Sequence, residues 1–387
     1  MNIEMIRAAA QRLEGKVRRT PLLNSSFVDE IAGRRVWIKA EALQHTGSFK
    51  FRGGWSAVSA LSPDVRSAGV IAFSSGNHAQ GVVLAARLHE VPAVIVMPQD
   101  APRLKIENTR ALGAEVVLYD RDREDREAIG AALAEARGLS LIKPYDAPEV
   151  IAGQGTCGLE IAEQAAAVGI TEADVLVCCG GGGLTSGVAL ALEQEAPNMR
   201  VRPVEPVDFD DVTRSLQTGH RQSNDRSGGS ICDAIVTRSP GEMTFPLMRD
   251  LCGPGLVVPE EDCLRAISVA FTRLKVVLEP GGAIALAAAL YHGDQLQGED
   301  VICIASGGNI DTQMFMRALE TYPCPQVSPA YDLTDIYAYC PNSAVISSPQ
   351  ICARPVRRCP HFELSWCCAK VFHTLLVSPL HNPAGKR

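Results

Sequence analysis

A single lysine, Lys50, stands in the stretch TGSFKFRGGW (46–55) among small, aromatic and basic neighbours. A lysine amine can bond covalently to a carbonyl compound when a dry or cationic environment lowers its pKa. Phe49 and Phe51 offer apolar walls and Arg52 a nearby positive charge, which fits a reactive amine. The alternative is an ordinary solvated lysine at a helix start, since most lysines are exposed. The stretch alone leaves both interpretations open.

Two further stretches have polar residues directly after an apolar, strand-like run. In FSSGNHAQG (73–81), Ser74 to His78 precede a helical pattern, and the N–H groups of such a helix start can hold a carboxylate. In CIASGGNID (303–311), the Ser306 hydroxyl could meet a ring nitrogen. The alternatives are a plain helix cap and a turn. Open α/β sheets bind ligands beyond the carboxyl ends of their strands, so both positions favour a binding site.

A run of four glycines, Gly180 to Gly183, lies in VCCGGGGLTSG (177–187) between a strand-like and a helix-like segment. Glycine lets the backbone N–H groups approach a phosphate closely, and the helix dipole adds attraction. The run therefore predicts a phosphate site. A dinucleotide site is the rival interpretation, with Glu205 as the acidic residue about 20 positions on. The glycine spacing, G-x-G-x-x-x-x-G, departs from the dinucleotide fingerprint G-x-G-x-x-G.

Alternating strands and helices would position these stretches. Several strand-like runs are apolar on both faces, as in a parallel sheet covered by helices on both sides. This alternation predicts an α/β protein with crossover connections. The predicted strands are 36–41, 70–75, 93–98, 115–120, 174–179, 200–206 and 301–306, and the predicted helices include 77–90, 121–137, 158–168, 184–195 and 262–276.

Composition narrows the class of protein. The 387 residues carry 44 acidic and 37 basic side chains, a formal charge of −7, which disfavours nucleic acid or an anionic membrane as the main partner. No apolar run has the length of a membrane span, and the N-terminal residues predict an amphipathic helix instead of a signal peptide. We therefore expect a cytoplasmic protein whose body cysteines are free, buried thiols.

The pattern changes near residue 320. Residues 321–387 hold nine prolines, six cysteines and only three acidic residues, and they lose the alternation of strands and helices. We predict an irregular tail of uncertain order over this range.

Taken together, the motifs resemble the serine/threonine dehydratase family of pyridoxal-phosphate (PLP) enzymes, which includes serine racemase and threo-3-hydroxyaspartate dehydratase. The matching motifs occur in family order over about residues 5–320: TGSFKFRG, SSGNHAQG, VIAGQGT, GGGGL, EPGGA and SGGN. The resemblance implies the fold-type II architecture of two open, twisted, mostly parallel sheets flanked by helices. It also implies a large PLP-binding domain (1–60 and 146–320) and a small domain (61–145).

The resemblance assigns roles to individual residues. Lys50 matches the lysine that binds the cofactor covalently, and Ser75 the acid/base of racemizing members on the opposite face. Asn77 corresponds to the partner of the pyridine hydroxyl and Ser306 to that of the pyridine nitrogen. The implied cofactor-binding residues are Lys50, Phe49, Asn77, Gly180, Gly181, Gly182, Gly183, Leu184 and Ser306. The implied residues for the substrate carboxylate are Ser74, Ser75, Gly76, Asn77 and His78.

Members of the family often hold a divalent cation, and VEPVDFDD (204–211) offers the matching ligands. These are the side chains of Glu205 and Asp211 and the backbone carbonyl of Phe209. Oxygen ligands of this kind suit Mg²⁺, Ca²⁺ or Mn²⁺. The alternative is a solvated acidic loop.

The resemblance implies β-elimination from a β-hydroxy amino acid, giving a 2-oxo acid and ammonia. Serine, threonine, 3-hydroxyaspartate and aryl-serines are the candidate substrates, and Ala234, where the family commonly has glycine, bears on substrate size. Amino-acid racemisation is the alternative within the family. An NAD-dependent oxidoreductase and a non-catalytic effector-binding protein are the alternatives outside it. The oligomeric state stays open, with a homodimer as one candidate.

Overall fold

The computed structural model describes residues 1–324 apart from residues 75, 102, 121, 122 and 227. The predicted tail, 321–387, lies outside the described residues except for residues 321–324. None of the helices described is both long and apolar enough to span a membrane.

Two sheets organise the described part of the chain. The six-stranded sheet has the order β1-β2-β10-β7-β8-β9, in which only the β1–β2 pairing is antiparallel. The four-stranded sheet has the order β5-β4-β3-β6 and is parallel throughout. The strands are β1 (Leu22–Asn24), β2 (Arg35–Lys39), β3 (Val70–Phe73), β4 (Ala93–Pro98), β5 (Glu115–Tyr119), β6 (Ser140–Leu141), β7 (Ala173–Cys178), β8 (Met199–Pro206), β9 (Leu256–Val258) and β10 (Asp300–Ile304).

All seven strands predicted from the sequence are present, so the predicted α/β class is confirmed. Every residue of β4 and β7 is buried, because helices cover both faces of the two sheets. The sequence did not reveal β1, β6 and β9, which have only two or three residues each and therefore carry no readable apolar pattern.

Helices fill the connections between these strands. The predicted amphipathic N-terminal helix is confirmed as α1. The helices are α1 (Ile3–Leu13), α2 (Ser26–Ala32), α3 (Lys50–Ala60), α4 (Pro63–Ser67), α5 (Asn77–Leu88), α6 (Arg103–Ala111), α7 (Arg126–Arg137), α8 (Pro148–Ala167), α9 (Gly183–Glu195), α10 (Asp211–Thr218), α11 (Thr244–Leu251), α12 (Glu260–Val269), α13 (Pro280–Tyr291) and α14 (Thr312–Thr321).

Helix α8 differs from the prediction, which began it at residue 158 instead of Pro148. The missed half contains VIAGQGT, whose glycines lower helix propensity. In the fold these glycines let helices approach closely. A Cβ at Gly153 would lie 2.5 Å from the Arg52 carbonyl oxygen in α3, and one at Gly155 would lie 2.8 Å from the Gly187 carbonyl oxygen in α9. Close packing between helices therefore outweighs the local preference of the sequence.

All strands of the four-stranded sheet lie between Val70 and Leu141, inside the range predicted for the small domain. Buried side chains form one large apolar cluster around the six-stranded sheet and separate clusters around the four-stranded one. The division into a large and a small domain stays a prediction, because the described chain up to residue 324 falls within a single compact unit.

Helix α3, which begins at Lys50, is fixed by buried charges and by close backbone contacts. The guanidinium of Arg52, fully buried, pairs with Glu41 at 2.8 Å and with Glu160 of α8 at 2.7 Å. A Cβ at Gly54 would lie 3.0 Å from the Gly81 carbonyl oxygen, so α3 and α5 touch backbone to backbone. Buried ion pairs and glycine contacts thus determine where Lys50 lies relative to α5 and α8.

Candidate active site

Lys50 is the first residue of α3, and its amine lies in a cavity of about 1460 Å³. The Nζ atom donates a hydrogen bond to the Pro144 carbonyl oxygen at 2.9 Å and lies 5.1 Å from the centre of the Phe49 ring. Burial away from water lowers the pKa of the Lys50 amine to about 8, although the carboxylate of Glu279 acts in the opposite direction. At neutral pH a useful fraction of this amine is therefore unprotonated, as a nucleophile or base requires.

Arg52 does not act on Lys50 as the sequence led us to expect. Its charge is taken up by Glu41 and Glu160 on the far side of α3, and it is absent from the groups that shift the Lys50 pKa. The expectation that Arg52 lowers this pKa is therefore wrong, because removal of the amine from water is the dominant cause.

The glycine run follows β7 and opens helix α9 inside the same cavity. Gly180, Gly181, Gly182, Gly183 and Leu184 all line it. A Cβ at Gly180 would lie 2.5 Å from the Ile235 carbonyl oxygen, one at Gly181 would collide with the Tyr145 ring, and Gly182 has a φ of +88°. Only glycine fits these conditions, and a helix start formed by such residues beside the cavity offers backbone N–H groups to an anion, as a phosphate cradle requires.

Ser306 lies just beyond β10, next to the end of the neighbouring parallel strand β7. Its side chain is buried, and its Oγ accepts a hydrogen bond from the Cys178 Sγ at 3.1 Å. Burial raises the pKa of the Cys178 thiol to about 11, so the thiol stays protonated and can donate a hydrogen bond. The hydroxyl proton of Ser306 is thereby left available for another acceptor.

Asn77 begins α5 and is held by two polar partners. Its Nδ2 donates to Glu279 Oε1 at 2.6 Å, and its Oδ1 accepts from Asn309 Nδ2 at 2.7 Å. Burial raises the pKa of Glu279 to about 7. One N–H of the Asn77 amide remains for a ligand, since an amide nitrogen carries two hydrogens.

The segment predicted for the substrate carboxylate borders the same cavity. Ser74, Gly76, Asn77 and His78 line it, while Ser75 lies outside the described residues. The His78 ring donates through Nε2 to the Ile142 carbonyl oxygen at 2.8 Å, and burial lowers its pKa to about 3. The imidazole is therefore neutral and adds no positive charge, whereas the backbone N–H groups of this helix start can hold an anion.

Several residues of the cavity were not singled out from the sequence. Glu279 and Asn309 lie within EPGGA and SGGN, so the motifs carried a signal for them although their link to Asn77 became visible only in the fold. Cys178, Pro144 and Tyr145 carried no such signal, because their roles depend on contacts between distant segments.

Comparison with known proteins identifies the family to which this arrangement belongs. The family model described as "Pyridoxal-phosphate dependent enzyme" matches residues 13–307. The chain belongs to the family of pyridoxal-phosphate dependent enzymes. PLP is therefore its cofactor, and the dinucleotide interpretation of the glycine run is excluded. The lysine amine and the glycine-lined helix start in one cavity fit this cofactor, because they match its aldehyde and its phosphate.

Individual relatives of this PLP enzyme indicate the type of reaction for which similar family members are named. The chain is 45% identical to an L-threo-3-hydroxyaspartate ammonia-lyase from Pseudomonas sp, over 81% of this chain and 96% of that protein. It is 38% identical to a serine racemase from Schizosaccharomyces pombe, over 81% and 96% of the two chains. A crystal structure of a T.th. threonine deaminase matches with 44% sequence identity and a TM-score of 0.76, over 80% of this chain and 99% of that one. The predicted dehydratase family is confirmed, and the relatives support a PLP-dependent β-elimination.

The three residues predicted to hold a cation lie apart from this cavity. Glu205 is the last residue but one of β8, and its carboxylate accepts hydrogen bonds from the backbone N–H groups of Val212 and Thr213, at 2.9 and 2.6 Å. Asp211 Oδ1 accepts from Asn224 Nδ2 at 2.6 Å, while its buried Oδ2 has no partner among the described residues. Within the described part of the chain, no group of three or more His, Cys, Asp or Glu side chains could hold a metal.

The lowered pKa of Lys50 predicts how the apoprotein captures its cofactor. Only the unprotonated amine attacks the PLP aldehyde, so the capture rate should rise as the pH passes through about 8 and then level off. Stopped-flow absorbance of apoprotein mixed with PLP measures this rate. Lys143→Met, which removes another lysine of the cavity, should leave the profile unchanged. A rate that keeps rising toward the pKa of an ordinary lysine would contradict the assignment.

Proposed function

We propose that this PLP enzyme removes the β-hydroxyl and the amino group from a β-hydroxy amino acid and releases a 2-oxo acid and ammonia. The observation that carries the proposal is the Lys50 amine, whose pKa is lowered to about 8, in one cavity with the glycine-lined start of α9. The ammonia-lyase named among the relatives at 45% identity supports the same reaction. The β-hydroxyl leaves as water, and one water molecule is consumed when the amino group is hydrolysed to ammonia. The overall reaction is therefore balanced.

The site residues have different tasks in this proposal. PLP, when bound, withdraws electrons from the α-carbon of the substrate. The Lys50 amine takes the α-proton, and its shift in pKa makes it an effective base near neutral pH. The N–H groups at the start of α9 bind the cofactor phosphate, and those at the start of α5 bind the substrate carboxylate. Asn77 and Ser306 orient the cofactor ring through hydrogen bonds.

We infer further that the preferred substrate carries a second carboxylate, as 3-hydroxyaspartate does. Arg126 and Lys143 are two of the six Lys and Arg residues that line the cavity, and neither forms an ion pair within the described part of the chain. Nearby Asp125 accepts hydrogen bonds from the first turn of α7, and Glu124 accepts one from the Asp120 N–H, so these two carboxylates have local structural roles. Threonine is the second candidate substrate, supported by the threonine deaminase structure.

Racemisation stays the alternative reaction, supported by the serine racemase among the relatives. Both reactions begin with loss of the α-proton, and Ser75, the predicted acid/base for racemisation, lies outside the described residues. The predicted cytoplasmic location has the support of the eight free cysteines between residues 157 and 324, six of them buried. The homodimer stays a prediction.

Kinetics with three L-amino acids test the substrate proposal. The value of kcat/KM should be higher for L-threo-3-hydroxyaspartate than for L-threonine or L-serine. Arg126→Met or Lys143→Met should lower that value by roughly 10- to 100-fold for hydroxyaspartate only, the loss expected from a charged hydrogen bond of about 1.5–3 kcal/mol. Equal losses with L-serine would count against the second-carboxylate contact. Formation of D-serine faster than pyruvate would favour the racemase instead.

We also propose that a divalent cation binds beside β8, through Glu205, Asp211 and the Phe209 carbonyl oxygen. Burial raises the pKa of Glu205 to about 8 and that of Asp211 to about 6, so both negative charges are disfavoured despite the hydrogen bonds that the two carboxylates accept. The unpartnered Asp211 Oδ2 gives such a cation an oxygen ligand. Glu205 Oε1 also keeps a lone pair, because it accepts only from the Val212 N–H, whereas Oε2 accepts from both the N–H and the hydroxyl of Thr213.

Thermal unfolding with and without Mg²⁺ or Ca²⁺ tests the cation site. A bound cation should raise the melting temperature, by about 2–4 °C for each kcal/mol of binding free energy. Asp211→Asn should abolish this increase, whereas Asp210→Asn, which changes the neighbour paired with Arg214, should preserve it. An increase that is the same in both variants would argue for binding elsewhere.

A further inference from the structure

Gln154 is a buried amide whose two polar atoms have no hydrogen-bond partner in the part of the chain that the structure describes. The side chain is 1% exposed, and neither Oε1 nor Nε2 meets a partner among the described residues. Leaving a buried amide unpaired is unfavourable, so such groups in native proteins normally contact a protein atom, an ordered water or a ligand. The amide therefore requires a partner that the described residues do not provide.

The position of Gln154 identifies the ligand group it would meet. The residue projects from α8 and lines the same cavity as Lys50 and the glycine run. A Cβ at Gly183 would lie 2.6 Å from Gln154 Oε1, and a Cβ at Gly53 would lie 3.0 Å from Nε2. The amide thus lies between the first residue of α9 and the helix that carries Lys50.

The start of α9 offers several hydrogen-bond donors at the same place. Ser186 is the first residue whose N–H is used within the helix, and it donates to the Gly182 carbonyl oxygen at 2.8 Å. The N–H groups before it therefore have no intrahelical partner and favour an anion. A phosphate bound there keeps oxygen lone pairs beyond those that the backbone can satisfy. A neutral amide adds a hydrogen-bond donor without adding charge. Rotating the amide by 180° exchanges the positions of Oε1 and Nε2, so that Nε2 faces the phosphate.

We propose that Gln154 belongs to the phosphate subsite and donates its Nε2–H to the phosphate group of the cofactor. The inference rests on the cofactor position proposed for Lys50 and the glycine run. It assigns the glutamine of VIAGQGT to phosphate binding, in addition to the backbone of the glycine run. It also explains why a polar side chain lies in the tightly packed region between α3, α8 and α9.

Binding of three ligands to the apoprotein tests this role. PLP carries both the aldehyde and the phosphate, pyridoxal carries only the aldehyde, and inorganic phosphate carries only the anion. Gln154→Met keeps the length of the side chain but removes the donor. We expect this variant to lower the affinities for PLP and for inorganic phosphate by about tenfold each and to leave the affinity for pyridoxal unchanged. An equal loss for pyridoxal, or unchanged affinities for PLP and phosphate, would overturn the proposal.

Gln154→Glu supplies a second test that does not depend on the methionine variant. Ionisation of the introduced carboxyl group would repel the phosphate, so the affinity for PLP should fall as the pH rises, relative to the wild-type profile. The affinity for pyridoxal should show no such additional pH dependence. A glutamate variant with the wild-type profile for PLP would also overturn the proposal.

Ser268→Ala is the matched control, because its buried hydroxyl also lacks a partner among the described residues but does not line the cavity. It should leave all three dissociation constants unchanged. Near-ultraviolet circular dichroism verifies that each variant is folded. Wild-type protein that fails to bind PLP would contradict the cofactor site itself, an outcome distinct from failure of the Gln154 assignment.

Discussion

The removal of one amine from water is the constraint on which the site depends. A lysine in water is protonated at neutral pH and serves neither as nucleophile nor as base. Lys50 differs because burial lowers its pKa to about 8, while its amine donates a hydrogen bond to the Pro144 carbonyl oxygen. The negative charge of Glu279 prevents a larger shift, so the amine still exchanges protons in the physiological range.

The helix that carries Lys50 is fixed by contacts that tolerate little change. Buried Arg52 joins it to Glu41 and to Glu160 of α8. Removing one member would leave charge buried and unpaired, which is strongly unfavourable. Glycines on α3, α5, α8 and α9 bring these helices into backbone contact. As a result, the amine, the helix start at Asn77 and the glycine run meet in one cavity although they lie far apart in sequence.

Sequence patterns predicted the parts of this fold that depend on local chemistry. Long buried strands, the glycine run before α9 and the polar helix start after β3 each have a readable signature, and the structure contains all of them. The family and its cofactor could be predicted because six motifs occur together in order. These features are encoded within short windows of the chain.

Features that depend on contacts between distant segments could not be predicted in this way. Arg52 looked like a neighbour acting on Lys50, yet its charge pairs with Glu160, which lies 108 positions away in the chain. The first half of α8 looked unsuited to a helix, because its glycines are needed for packing and not for local propensity. Likewise, the hydrogen bond from Cys178 to Ser306 exists only because β7 and β10 are neighbours in the sheet.

Chemical trapping of the cofactor gives the most direct test of the central claim that Lys50 is the reactive amine. Protein reconstituted with PLP is reduced with borohydride, digested, and mapped by mass spectrometry. The account predicts one phosphopyridoxyl group per chain, located on the peptide that contains Lys50. A label on another lysine of the cavity, such as Lys105 or Lys143, or no label at all, would contradict it.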